Sequence, residues 1–407
     1  RALLRCVGVG RCRHLEGNTM CPSFMVTREE MHSTRGRARL LSEMLQGEVI
    51  HDGWNSREVR EALDLCLACK GCKTDCPVNV DMATYKAEFL YHYYKNHPRP
   101  VQSYAMGLIY WWARLARLAP GVVNFFTQMP GLSRLMKALG GIAQERPMPK
   151  FATETFKDWY RRTQESAAAG NGKGRQAARR GQVILWADTF NNCFTPATLQ
   201  AGLRVLRNAG FEVIVPTQSL CCGRPLYDHG MLDLARRQLR QILDTLRPQI
   251  EAGIPVVGLE PSCVAVFRDE LVNLFSRDPL ARRLSAQTFT LAEFLEKHAP
   301  DWQPPDLSGR KAILHGHCQQ KAVMGLGHEE ALLRRTGIEL HIPDSGCCGM
   351  AGSFGFNKNH YEVSVAIGER VLLPAVREAD PETLILTDGF SCREQISQLT
   401  PRKPLHL

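Results

Sequence analysis

Where cysteine falls constrains this chain more than any other feature. Fifteen of its 407 residues are Cys, and they form two blocks. The first holds Cys66-x2-Cys69-x2-Cys72-x3-Cys76-Pro77. Three thiolates on one tight turn converge on one side and can cap irons of a cubane, while the fourth, fixed by the proline, points toward a second cluster. Gly71 lets that turn curl without a Cβ clash. Paired C-x2-C spacings also occur in zinc sites, but four cysteines in this run with a trailing Pro favour iron–sulfur.

Cys6-x5-Cys12 followed by Cys21-Pro22 is a degenerate copy in which Val9 stands where a full motif has cysteine. A crossover assignment puts Cys66, Cys69, Cys72 and Cys21 on one [4Fe–4S] cluster. Cys6, Cys12 and Cys76 are then left as a three-thiolate site. Such a site suits a [3Fe–4S] cluster, or a second [4Fe–4S] with a non-cysteine ligand such as His14, although a surface role for His14 is preferred. This C-x5-C…C-P pattern resembles the three-iron site of the succinate dehydrogenase iron–sulfur subunit.

The second block repeats itself. Cys193, Cys221-Cys222-Gly223 and Cys263 recur as Cys318, Cys347-Cys348-Gly349 and Cys392, offset by about 125–130 residues. Strand-like runs at 183–187, 211–216 and 255–259 alternate with helical ones near 196–209 and 231–251. The order returns with strands at 311–316, 338–343 and 383–388 and helices near 320–336 and 360–378. Such alternation predicts parallel βαβ units. Each cysteine follows a predicted strand, the end of a parallel sheet where ligands gather. The two halves are therefore expected to face each other, each with a metal or redox site.

The fold expected is an α-helical two-cluster ferredoxin domain (1–97) followed by an α/β duplicated cysteine-rich domain with parallel strands (183–407, halves 183–300 and 310–407). Between them lie a helical, aromatic-rich connecting and docking region without cysteine (98–163) and a small-residue, basic linker (164–182). Ser33 and Ser56 read as helix starts, the latter helix carrying Val59, Leu63 and Cys66 on one face. Arg35, Arg37 and Arg39 read as a solvated face.

Composition excludes some classes. Hydrophobic content of 44% and charged content of 23% are those of a globular protein. So many cysteines in a chain of this size without a signal sequence point to a reducing, cytoplasmic compartment and to metal ligation rather than disulfides. The net charge of +10 comes without any nucleic-acid-binding signature, so no nucleic-acid partner is expected. The apolar run Tyr104 to Leu118 carries Arg114 and Arg117 and is too short to span a bilayer. It reads as a docking helix, with peripheral contact at the inner face of a membrane as the alternative. The chain starts at Arg1, which reads as a piece of a longer polypeptide.

The duplicated block resembles the cysteine-rich CCG module found in heterodisulfide reductase, in the glycolate oxidase iron–sulfur subunit and in anaerobic glycerol-3-phosphate dehydrogenase. Residues 1–97 resemble the ferredoxin domain that precedes the module in the last two. MCPSFMVTREEMHSTRGRARLL, CCGRPLYDHG and HGHCQQK with CCGMAGSFGF look more specifically like the iron–sulfur half of bacterial D-2-hydroxyacid dehydrogenases of the D-2-hydroxyglutarate type. That resemblance implies an oxidoreductase component. It would pass electrons from FAD on a partner domain or subunit to a quinone or another carrier. With no G-x-G-x-x-G fingerprint, the chain is expected to bind no FAD and oxidise no hydroxyacid alone.

One departure stands out. Val264-Ala265-Val266 after Cys263 and Arg393-Glu394-Gln395 after Cys392 remove the fifth thiolate of the heterodisulfide reductase pattern. A four-cysteine cluster, a zinc ion and a bare dithiol acting as a thiol/disulfide reductase all stay open. His315 and His317 beside Cys318 are candidate ligands or proton donors. Gly349, Gly352 and Gly355 are expected to let backbone approach a cluster.

Overall fold

The computed structural model describes residues 5–17, 19–169 and 180–407. Its described residues up to 179 are helix and loop, without a named strand. Seven strands follow. β1 (Gln182–Trp186), β2 (Glu212–Ile214), β3 (Val256–Gly258) and β4 (Thr288–Phe289) form one parallel sheet in the order β2-β1-β3-β4. β5 (Lys311–Leu314), β6 (Glu339–His341) and β7 (Leu384–Leu386) form a second, ordered β6-β5-β7. The duplication is thus one of topology as well as of cysteine spacing. β4 is the strand the sequence pattern does not reveal, being two residues long. Its counterpart is the chain's tail, where Leu405 bridges in parallel to Leu386.

Alternation along β1 builds the core of the first half. Val183 and Leu185 pack with Leu199, Leu203 and Leu206 on one face. Ile184 and Trp186 pack with Leu239, Ile242 and Leu243 on the other. Burying each such side chain contributes roughly 1.5–3 kcal/mol, so both faces of this sheet are covered and its strands read as apolar runs.

Several local expectations need correction. The helix capped by Ser56, whose hydroxyl accepts from Val59 N, ends at Asp64. Cys66 therefore lies on a loop, while Val59 and Leu63 are buried. Arg37 is not solvated: it is 2% exposed and donates to the Ala62 carbonyl (2.7 Å) and Ser23 Oγ (3.0 Å). Arg35 and Arg39 do sit on the outer face, bonded to Glu30 and Glu43. The apolar run 104–118 breaks at Leu108 into helices Val101–Gly107 and Ile109–Ala116. Of residues 164–182, those to Ala169 continue the helix that starts at Phe156 and β1 begins at Gln182, while 170–179 lie outside the described residues.

Among the described residues no helix is long and apolar enough to cross a membrane. The helical region does leave apolar side chains uncovered, with Leu118 82%, Leu139 69% and Phe125 59% exposed.

Candidate iron–sulfur site

The loop of Cys66 to Cys76 adopts a conformation that ordinary residues avoid. Ala68 (φ 51°) and Lys70 (φ 61°) are left-handed, as is Cys21 (φ 57°) in the other motif. Non-glycine residues take this conformation at an energetic cost and mostly where function requires it. Successive turns of this kind aim backbone N–H groups into one concavity, which suits an anionic cluster. The N–H groups of Thr34 and Met82 point at the sulfurs of Cys21 (2.9 Å) and Cys72 (3.4 Å), and Arg35 N points at Cys12 (3.3 Å). These contacts stabilise thiolates, the form in which cysteine ligates metal.

The two motifs are held together by Asp75, whose carboxylate accepts from Thr19 N (2.9 Å) and Met20 N (3.0 Å). A Cβ on Gly71 would fall 2.9 Å from the Thr19 carbonyl carbon, so glycine is required where the loops cross. Cys21 shares a hydrogen bond with Cys12, which brings the Cys12 thiol down to about 6. Burial and that same bond push the Cys21 thiol up, with Cys72 also acting on it. Cys21 thus stands between the two motifs. Cys6 and Cys76 are half-buried and pack against the same cluster of side chains. His14 is exposed and Val9 is 61% exposed.

The halves of the second block are not equivalent. In the second, all four cysteines meet. Cys318 bonds Cys347, which brings Cys318 down to about 7. Cys347, Cys392 and the nearby His315 hold the Cys348 thiol well below its usual value. His315, Cys348 and Cys392 present ligand atoms within 4.8 Å of one another. In the first half only three meet: Cys222 and Cys263 sulfurs are 2.9 Å apart and Cys221 bonds Cys222. Cys193 is placed apart, receiving a bond from the Asn192 amide (3.3 Å) and lying near Lys157. Burial brings the Lys157 ammonium down to about 8.

Both sites carry buried polar atoms without a partner among the described residues: His315 Nε2 and Gln320 Nε2 in one, Trp186 Nε1 and Gln238 Nε2 near the other. Native proteins rarely leave such atoms unpaired unless something else occupies the site. Converging thiols with orphaned donors beside them therefore fit a bound metal group. Two of the glycines also serve the packing of the fold. A Cβ on Gly349 (φ 89°) would meet the Ser364 carbonyl at 2.1 Å, and one on Gly355 would meet Ser364 Oγ at 2.5 Å. These two admit the helix Tyr361–Glu369, while the Gly349 N–H also donates to Cys347 Sγ (3.4 Å), so its backbone approaches a cysteine of the site as well.

The first block docks directly on the second. Cys69 shares a buried cluster with Leu67, Cys318 and Cys347. The carbonyl of Ala68 accepts from Arg224 of one half and Gln319 of the other, each at 3.2 Å. Next to it, fully buried Lys70 reaches Asp269 (2.5 Å), Glu270 (3.2 Å) and Asp81 (3.5 Å). Arg224 also pairs with Glu270 and with Asp228 (2.7 Å). Burial alone would lower the Lys70 ammonium, but Glu270, Asp81 and Asp269 outweigh it and raise it. Nothing in sequence spacing marks the pairs of Lys70 with Asp269 and Glu270, whose partners lie about 200 residues apart.

Comparison with known families agrees with this partition. Residues 2–80 match the 4Fe-4S dicluster domain, and residues 187–268 and 328–397 match the cysteine-rich domain. The D-2-hydroxyglutarate dehydrogenase of Pantoea ananatis is 27% identical over 98% of this chain and 42% of its own length, so the chain spans well under half of that relative. One of the subunits of the anaerobic glycerol-3-phosphate dehydrogenase of Escherichia coli K12 is 30% identical over 70% of each chain. The glycolate oxidase iron-sulfur subunit of the same organism is 25% identical over 97% of this chain and 90% of its own.

Proposed function

This chain belongs to the family of that anaerobic glycerol-3-phosphate dehydrogenase subunit, and on that premise we propose that it is the iron–sulfur electron-transfer arm of a flavin-linked D-2-hydroxyacid dehydrogenase. D-2-hydroxyglutarate or a related acid is the substrate, FAD sits on a partner domain or subunit, and a quinone or other carrier is the acceptor. The observation that carries the reading is the contact of Cys69 with Cys318 and Cys347, which puts ligands of the two blocks side by side.

Cys66, Cys69, Cys72 and Cys21 would hold a four-iron group. Cys6, Cys12 and Cys76 would hold a second, of three or four irons. Cys318, Cys347, Cys348 and Cys392, with His315, would hold a further metal group, and Cys221, Cys222 and Cys263 another, with Cys193 outside it. Iron–sulfur groups take and release one electron at a time, which divides the pair that a flavin receives as hydride. The chain's own residues supply the rest. Left-handed turns and N–H···S bonds hold the thiolates, burial keeps water out, and the Lys70 network fixes the distance between the blocks.

The exposed face of Leu118, Phe125 and Leu139 is the docking surface for the flavin partner. It is apolar and lies in a region without cysteines, with Arg114 and Arg117 close to Leu118 in sequence. In a fusion of this chain to a D-2-hydroxyacid-oxidising flavin domain, mixing with D-2-hydroxyglutarate should bleach the iron–sulfur absorbance, and Leu118→Ser with Phe125→Ser should slow that bleaching severalfold. A reduced flavin beside unbleached iron–sulfur would overturn the relay. Unchanged bleaching in the double variant, together with binding to anionic vesicles that the variant loses, would assign the face to a membrane instead.

A further inference from the structure

A cavity of about 140 Å³ lies where all parts of the chain meet. Met106 and Ile109 wall it from the helical region, Leu67 from the ferredoxin loop, and Phe190 and Phe390 from the two duplicated halves. The last two rings stack at 4.9 Å with an interplanar angle of 23°. Only Cys318 of the fifteen cysteines lines it. A volume surrounded by one thiol is not the space of a multi-thiolate cluster, so this cavity is separate from the metal sites although it touches one.

Its chemistry is that of a ligand pocket. Apolar walls dominate, with His317, Arg224, Asp228 and Glu260 among the polar groups that also line it, the usual make-up of a small-molecule site. His317, 3% exposed, lines the cavity and has an Nδ1 without a partner. An apolar cavity of about 150 Å³ accommodates one benzene ring, so a single six-membered ring fits here, and the cavity is partly open, which lets substituents leave it.

We propose that this cavity binds the ring of a monocyclic 1,4-quinone, with His317 placed to hydrogen-bond a carbonyl oxygen and the ring lying beside Cys318. The proposal rests on the electron-transfer reading above and supplies its exit point. The ring accepts two electrons in single steps from the reduced iron–sulfur groups held by the cysteines, takes two protons from water, and leaves as the hydroquinone. Leu67 and Cys318, which both line the cavity, also belong to the cluster that contains Cys69 and Cys347. The ring therefore lies within a side chain's width of the junction between the blocks.

The test uses the full chain with its iron–sulfur content restored and a fully substituted benzoquinone, which cannot add thiols. Calorimetric binding to the oxidised protein is measured first, then reoxidation of the anaerobically reduced protein as quinone concentration rises. Saturable binding and saturable reoxidation are expected. Met106→Trp, which fills the cavity, should raise the half-saturating quinone concentration at least tenfold in both measurements. Phe151 also lines the cavity, and Phe151→Ala, which enlarges it, should improve the fit of a bicyclic naphthoquinone. Half-saturation unchanged in both variants would overturn the cavity and leave the relay standing. Tight quinone binding to a protein whose iron–sulfur groups never reoxidise would instead overturn the relay and keep the cavity. A disulfide that displaces the quinone and is reduced in its place would contradict the assigned ligand class.

Discussion

Cys69→Ser is expected to abolish the four-iron signal of the first block and to loosen the whole junction with the second. Small domains built around metal-binding thiols draw folding free energy from the bound group, on the order of 10 kcal/mol in zinc fingers. Cys69 is 8% exposed and packs against Cys318 and Cys347, so the loss spreads into the second half of the cysteine-rich domain. Iron per chain should fall by about the content of one four-iron group, and residues 1–97 should become protease-sensitive. Iron content and a melting curve that both stay at wild-type values would remove Cys69 from the ligand set.

Lys70→Met is expected to be nearly as damaging by a different route. Lys70 is fully buried between Asp269, Glu270 and Asp81, and removing one partner from a buried ion network leaves charge uncompensated, at a cost of about 3–5 kcal/mol. Lys73 and Arg224 neutralise Asp269 and Glu270 only in part. Lys70→Arg keeps the charge and should recover much of the loss, although a planar fork does not replace a compact ammonium fully. Denaturant unfolding followed by the iron–sulfur absorbance checks both. A Met variant that unfolds with the wild-type midpoint would show that the network does not hold the blocks together.

How much of this is legible in the sequence depends on what kind of contact is involved. The six longer strands, the helices between them and the duplicated cysteine landmarks follow from period and spacing, because a buried parallel strand is a short apolar run and each ligand loop sits at its end. The two-residue β4 leaves no such run. The bend at Leu108 and the burial of Arg37 escape the sequence because local pattern does not report what packs above a residue. Arg37 looks like one of three similar arginines until the Ala62 carbonyl and Ser23 appear beside it.

The site divides in the same way. Cysteine spacing nominates every thiol, yet it treats the halves as equals. Folding separates them by sending Cys193 toward Asn192 while Cys318 reaches Cys347. The docking of Cys69 on Cys318 and the Lys70–Asp269 pair join residues some 200 or more positions apart, and a single sequence carries no signal for them. The glycines of the Cys-Cys-Gly loop read as cluster access because glycine marks a close approach without saying of what. At Gly349 and Gly355 the approaching group is Ser364, and Gly349 also brings its N–H to Cys347.

The most direct measurement is metal and acid-labile sulfide analysis of the anaerobically prepared chain, combined with EPR of its oxidised and reduced forms. Iron and sulfide in near-equal amounts and a reducible four-iron signal are expected. After exposure to air a three-iron signal is also expected if Cys6, Cys12 and Cys76 have no fourth ligand. Iron-free protein containing only zinc, with no EPR signal in either state, would contradict the iron–sulfur assignment.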